Sequence, residues 1–209
     1  MANIVENIYE FLDPKKIQND PTGRQLGRYQ SWDIVYEDFS KSKDVDFLAR
    51  SLAIYLASWG MMRGSSKLLS EYNYRIHIEA VNTLLSHLDP LRFYPSHRNE
   101  IAAYVATTCG VIADLKEYYG KLGVSHTDTL MTKILLGTTA ATPAYDRFFK
   151  EFLKNQKLTQ TLGIKSLTQV WNLYFDNKDE LSEFDYPAMK LLDMAGFQYG
   201  KLGESKIQI

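Results

Sequence analysis

Histidine, cysteine and serine are the side chains that ordinary catalysis draws on, and here the four histidines and one cysteine are scattered. His77, His87, His97 and His126 never lie four residues apart, and none belongs to a His-Glu-x-x-His run. That spacing is what places two imidazoles on one helix face to grip zinc. The scatter predicts surface or loop histidines, with no metal and no cofactor. Ser65 and Ser66 follow Gly64 without the Gly-x-Ser-x-Gly elbow that exposes a nucleophile. A turn or a helix cap suits them better. Cys109 lies within an apolar run, where a thiol is normally inert. Neither a Walker lysine loop nor a Gly-x-Gly-x-x-Gly turn is present to cradle a phosphate.

Two stretches offer more. Arg92-Phe-Tyr-Pro-Ser-His97 has the Arg-x4-His spacing of helical ribonucleases of the HEPN type. Pro95 falls inside it, and a proline breaks the helix that such a motif rides on. The second stretch is His126 to Asn155. Met131-Thr-Lys-Ile-Leu135 is a helical run, a loop leads to Pro143, and Pro143-Ala-Tyr-Asp146 delivers a carboxylate to the mouth of the next helix, with Arg147 and Phe148 behind it. In that order it resembles the second half of the helix-hairpin-helix DNA glycosylase core, over about 30 of the 209 residues. The Leu-Pro-Gly hairpin of that family is replaced by Leu122-Gly-Val-Ser125, and no cysteines exist for an iron–sulfur cluster.

The resemblance implies that Asp146 is the catalytic carboxylate, favoured in its charged form by the helix dipole and acting on the glycosidic bond of an extruded base. It implies phosphate contacts from Lys133, Arg147, Lys150 and Lys154. Trp59, Arg63 and Tyr145 are the expected pocket lining. Two stretches dense in Gly, Met and aromatics, Trp59 to Ser66 and Asp193 to Gly200, read either as pocket walls or as core. A plainer alternative for Asp146 remains, in which Thr142-Pro143 caps a helix and the carboxylate stabilises its first turn.

The elements that must hold these groups read as helices. Ile4 to Leu12 is a short amphipathic helix, and residues 13–31 are a loop made locally basic by Lys15, Lys16, Arg24 and Arg28. Val45 to Met62 has the strongest periodicity, with a stripe of Ala49, Ala53 and Ala57 for close helix approach and Gly60 or Gly64 as terminator. Arg75 to Leu88 repeats the pattern, and residues 91–100 connect. Glu100 to Tyr119 is apolar or small on most faces, which predicts a buried central helix. Further helices are expected from Thr127 to Leu136, ended by Gly137, from Thr142 to Asn155, from Ser166 to Phe175 and from Pro187 to Phe197. Eight or nine helices and no two-residue alternation predict an all-α fold, a single multi-helix domain spanning 1–209. Leu52, Leu56, Trp59, Tyr104 and Leu135 are expected to meet in its core.

Composition bounds the partners. The chain is 45% hydrophobic and 23% charged, enough for a sizeable core, and its net charge of −1 lacks the strong positive balance of a dedicated nucleic-acid binder. Charge is nonetheless segregated. Residues 146–165 carry five cations against two carboxylates, while residues 176–193 carry six carboxylates against two cations. Such a molecule could meet nucleic acid, dock another protein, or associate with its own copies head to tail. The interaction-module reading is thus an alternative to the nucleic-acid one. A lone cysteine, no basic-apolar leader and no apolar run of membrane-spanning length predict a cytoplasmic protein.

Overall fold

The computed structural model describes residues 2–13, 21–22, 27–63 and 66–203, and the backbone of 204–207. Lys15, Lys16 and Arg24 of the basic loop, and Ser65, lie outside the described residues. The fold is all-α, with no strand among the described residues. They form eleven α-helices rather than eight or nine: α1 (Ile4–Phe11), α2 (Ser31–Lys41), α3 (Val45–Ser58), α4 (Ile78–Ser86), α5 (Leu88–Arg92), α6 (Ile101–Lys121), α7 (Asp128–Thr139), α8 (Arg147–Asn155), α9 (Ile164–Asp176), α10 (Lys178–Leu181) and α11 (Ala188–Ile207). Short 3-10 turns at Arg28–Gln30, Tyr74–His77 and Arg98–Glu100 precede α2, α4 and α6.

The added helices follow ordinary physics. In α2, Trp32, Val35 and Phe39 fall at helical steps and are buried. Pro90 is tolerated in α5 because it occupies the first turn, where its missing N–H has no partner to lose. The expected helix from Thr142 starts later, at Arg147, since Pro143 to Tyr145 remain in the loop. Helix α11 runs ten residues past Phe197.

The central helix is α7, not α6. Every residue from Leu130 to Thr139 is buried, against neighbours that include α2, α3, α5 and α6. Its threonines tolerate burial because their hydroxyls bond back one turn: Thr132 to the Asp128 carbonyl (2.7 Å), Thr138 to Ile134 (2.9 Å) and Thr139 to Leu135 (2.9 Å). Gly137 is no terminator. The helix continues to Thr139, and a Cβ at Gly137 would sit 2.5 Å from the Tyr55 ring of α3. The buried C-terminal carbonyls of α7 need donors, and three side chains supply them. The Trp32 indole reaches Leu136 O (2.7 Å), Arg92 reaches Thr138 O (2.6 Å) and the Tyr94 hydroxyl reaches Thr139 O (2.6 Å). Helix α6 by contrast buries one face only, through Tyr104, Val105, Val111, Ile112 and Leu115, and leaves Ala102, Ala103, Ala106 and Gly110 exposed.

Leu52, Leu56, Tyr104 and Leu135 share one cluster of buried residues, as expected, but Trp59 is only half-buried and stands at its edge. Phe47 and Ala57 of α3 face outward. His77 is also a correction. It is fully buried, its Nδ1 2.7 Å from the Tyr119 hydroxyl and its Nε2 without a partner among the described residues. Burial with no counter-charge pulls this imidazole down to about 4.

Candidate functional site

Helix α3 ends in a Schellman turn. The Gly60 N–H bonds the Ala57 carbonyl and the Met61 N–H bonds Leu56, both at 2.9 Å, with Gly60 at φ +72°. This turn throws Trp59 and Arg63 outward. Helices α7 and α8 present their N-terminal ends to the same place, and α11 adds Phe197 and Lys201. Together with Arg28 and Tyr29 they enclose a cleft of about 1100 Å³.

Its walls are aromatic and its charge is positive. Phe197 meets Trp59, Phe148 and Tyr29 edge to face, with ring centroids 5.6, 5.2 and 6.0 Å apart. Trp59 is anchored by its indole N–H on Ser31 Oγ (3.1 Å) and carries the Arg28 guanidinium 4.9 Å over its ring. Among the described residues, Arg28, Arg63, Lys133, Arg147 and Lys201 line the cleft with one carboxylate, Asp146.

Asp146 is the N-cap of α8. Its Oδ1 accepts the Phe148 and Phe149 N–H groups at 3.0 and 3.1 Å, and its Oδ2 lies 3.3 Å from Lys133 Nζ. Lys133 projects from buried α7, so its stem is covered and only its head reaches the cleft floor, 4.9 Å from the Trp59 ring centre. Beneath this pair lies a second one on α11, Lys190 with Asp193, at 3.7 Å. A void of about 10 Å³ separates the two, bounded by all four charges and by Tyr55, Trp59, Leu136 and Phe197. Burial pushes the Asp193 carboxyl up and the Lys190 ammonium down, and each opposes the other's shift. Lys190 also faces Asp33, whose carboxyl burial pushes up.

Of the residues singled out from sequence, Asp146, Lys133, Arg147, Trp59 and Arg63 come together in this cleft. Three do not. Lys150 lies further along α8 away from the cleft lining, and Lys154 is exposed, 4.0 Å from Glu151. Tyr145 points inward instead, fully buried with its hydroxyl 2.8 Å from Ser166 Oγ. They diverge because α8 turns its hydrophobic stripe, Phe149, Phe152 and Leu153, to the core and its lysines to solvent. Arg92 and His97 have separate surroundings. The Arg92 guanidinium donates to the Thr138 and Tyr36 carbonyls, while His97 is exposed with its backbone N–H on Glu100.

The contributors not singled out as site residues are Arg28, Tyr29, Phe148, Phe197, Lys201, Lys190 and Asp193. Lys190-x-x-Asp193 carried a usable signal, since two charges one turn apart interrupt an apolar run and must find each other or a partner. No group of three metal-ligating side chains occurs among the described residues, and no helix of theirs is long and apolar enough to cross a membrane. Comparison with protein-family models, curated proteins and solved structures finds no match to the chain.

Proposed function

We propose that the chain is a nucleic-acid-handling protein with a glycosylase-like helical core, one helical domain in the cytoplasm, whose cleft receives an extruded or unpaired base. The observation that carries this reading is a cleft in which, among the described residues, four aromatic rings and five cations surround one carboxylate at a helix N-terminus. Bases stack on rings whatever their sequence, and phosphates seek Arg and Lys. Arg28, Arg63 and Arg147 would take the backbone, and Trp59 with Phe148 the base. Asp146 would face the sugar. As the bond between C1′ and the base nitrogen breaks, its electron pair leaves with the base, which takes up a proton. The carboxylate stabilises the cationic sugar until a water oxygen bonds C1′ and releases a proton. Lys133 must turn from Asp146 for this, and the Trp59 face 4.9 Å away is a second seat for its ammonium.

The test is fluorescence anisotropy with a labelled single strand and with a duplex holding an abasic analogue. Three phosphate contacts predict an affinity loss on the order of 40-fold between about 50 and 200 mM salt. Arg63→Ala and Arg147→Ala should each lower the salt slope by about 1. Base release from oligonucleotides with alkylated or deaminated bases should vanish in Asp146→Asn. A chain that binds neither nucleic acid at low salt ends this reading. Salt-dependent self-association by light scattering in that same chain would favour the interaction module instead.

A further inference from the structure

The short loop between α7 and α8 sets where Asp146 stands, and it is held at three points. The Tyr145 N–H bonds Thr132 Oγ1 (2.8 Å), and the Tyr145 carbonyl accepts the Thr129 hydroxyl (2.9 Å), both from α7. The third hold comes from α11. Asp193 Oδ1 accepts the Ala144 N–H at 3.0 Å, and the Ala144 carbonyl accepts the Asp146 N–H at 2.8 Å. One residue, Ala144, thus passes the position of Asp193 directly to Asp146. A second link runs through charge, since Lys133 faces Asp193 as well as Asp146. Lys190, seated 5.1 Å from the ring centres of both Phe11 and Trp32, supplies the counter-charge that Asp193 needs at this depth. An ion pair that served stability alone would need neither link, because Lys190 and Asp193 already lie one turn apart on the same helix.

We propose that Asp193 is a positioning residue for the cleft, fixing the Asp146 carboxylate through Ala144, with Lys190 as its counter-charge. This rests on the reading of Asp146 as the reactive group.

The test separates the acceptor from the charge. Lys190→Met/Asp193→Asn removes both charges and keeps an oxygen for Ala144, whereas Lys190→Met/Asp193→Leu removes the acceptor too. The amide resonances of Phe148 and Phe149, whose N–H groups hold Asp146, report its position by NMR without any ligand. The asparagine variant should keep both resonances near their original places and the leucine variant should displace both. On a base-release substrate the leucine variant should lose about 10- to 100-fold in kcat with KM little changed, and the asparagine variant should recover most of it. Should the leucine variant not fold, Lys190→Met/Asp193→Ala takes its place.

Unmoved Phe148 and Phe149 resonances in the acceptor-less variant, or equal displacement in both variants, overturn the proposal. Displacement in that variant alone supports the positioning link even where the unmodified chain binds no nucleic acid, an outcome that would overturn the reading of the cleft instead.

Discussion

Two lysine–aspartate pairs lie within one small region, and their surroundings give them different work. Lys133 and Asp146 join two helices, and Asp146 retains 20% of its side-chain surface. Lys190 and Asp193 share α11, with Lys190 only 2% exposed between two aromatic rings. In the outer pair the carboxylate already has two backbone N–H groups and a helix dipole, so it can part from its lysine without becoming an orphan. Among the described residues the inner lysine has no backbone partners of this kind, only Asp33 as a second carboxylate. The lesson is that ion pairs of the same chemistry divide into a switchable one at the water's edge and a fixed one behind it, according to how many other partners each charge has.

The largest expected effect breaks the inner pair. Lys190→Met takes from buried Asp193 its nearest counter-charge, leaving it only Lys133 and the Ala144 N–H, and should cost about 3–5 kcal/mol. At this chain length that is a fall of about 10 °C in Tm. Lys190→Met/Asp193→Asn should recover most of it, and calorimetry on the two variants would decide. A single variant as stable as the parent would show that the inner pair is not the fixed one.

His77 extends the comparison to a buried base with no counter-charge at all. Its folded value of about 4 lies below the ordinary 6.5, so the folded state binds the proton less tightly than the unfolded chain. Stability is therefore full above pH 6.5 and is lost as pH falls toward 4, by about 3 kcal/mol in total. Urea unfolding at pH 7, 5 and 4 should show that loss in the parent chain and a much smaller one in His77→Gln. Identical pH slopes would mean that the imidazole is not the group responsible.

How much of this was legible beforehand differs between neighbouring helices. Helical periodicity is local, so α1, α3 and the class of the fold could be read directly, and α2 carried a readable Trp32, Val35, Phe39 spacing that the adjoining Gly- and Pro-rich stretch obscured. The order of burial could not be read. Helix α6 has the greasier look, yet alanine and glycine lose little when left in water, so its small-residue face is the exposed one. Helix α7 carries four threonines and a lysine, yet each of those polar groups has a partner: three hydroxyls bond back along α7, Thr129 donates to the Tyr145 carbonyl and Lys133 meets Asp146. The cleft was half legible for a similar reason. Asp146 and Arg147 announce themselves as a helix start, and Trp59 and Arg63 surround a glycine turn. Phe197 belongs to a stretch readable as pocket wall, but Arg28 and Lys201 arrive from distant parts of the chain through the packing of α1, α2 and α11, which no local pattern encodes.

The smaller effects probe the outer pair and sharpen its contrast with the inner one. Asp146→Ala deletes a cap that serves two N–H groups and strands Lys133, so a cost of about 2 kcal/mol is expected. Asp146→Asn keeps an oxygen for the Phe148 and Phe149 amides and should cost less than half as much. Lys133→Met should fall between the two, at about 1 kcal/mol, because Asp146 keeps its backbone donors and gains water from the cleft. Its consequence lies in binding. Removing one of the lining cations should weaken oligonucleotide affinity while leaving the salt slope, set by the phosphate contacts of Arg28, Arg63 and Arg147, nearly unchanged. If Lys133→Met instead unfolds the chain as readily as Lys190→Met does, the two pairs are equivalent supports of the core. The cleft floor would then have no charge to spare for a ligand.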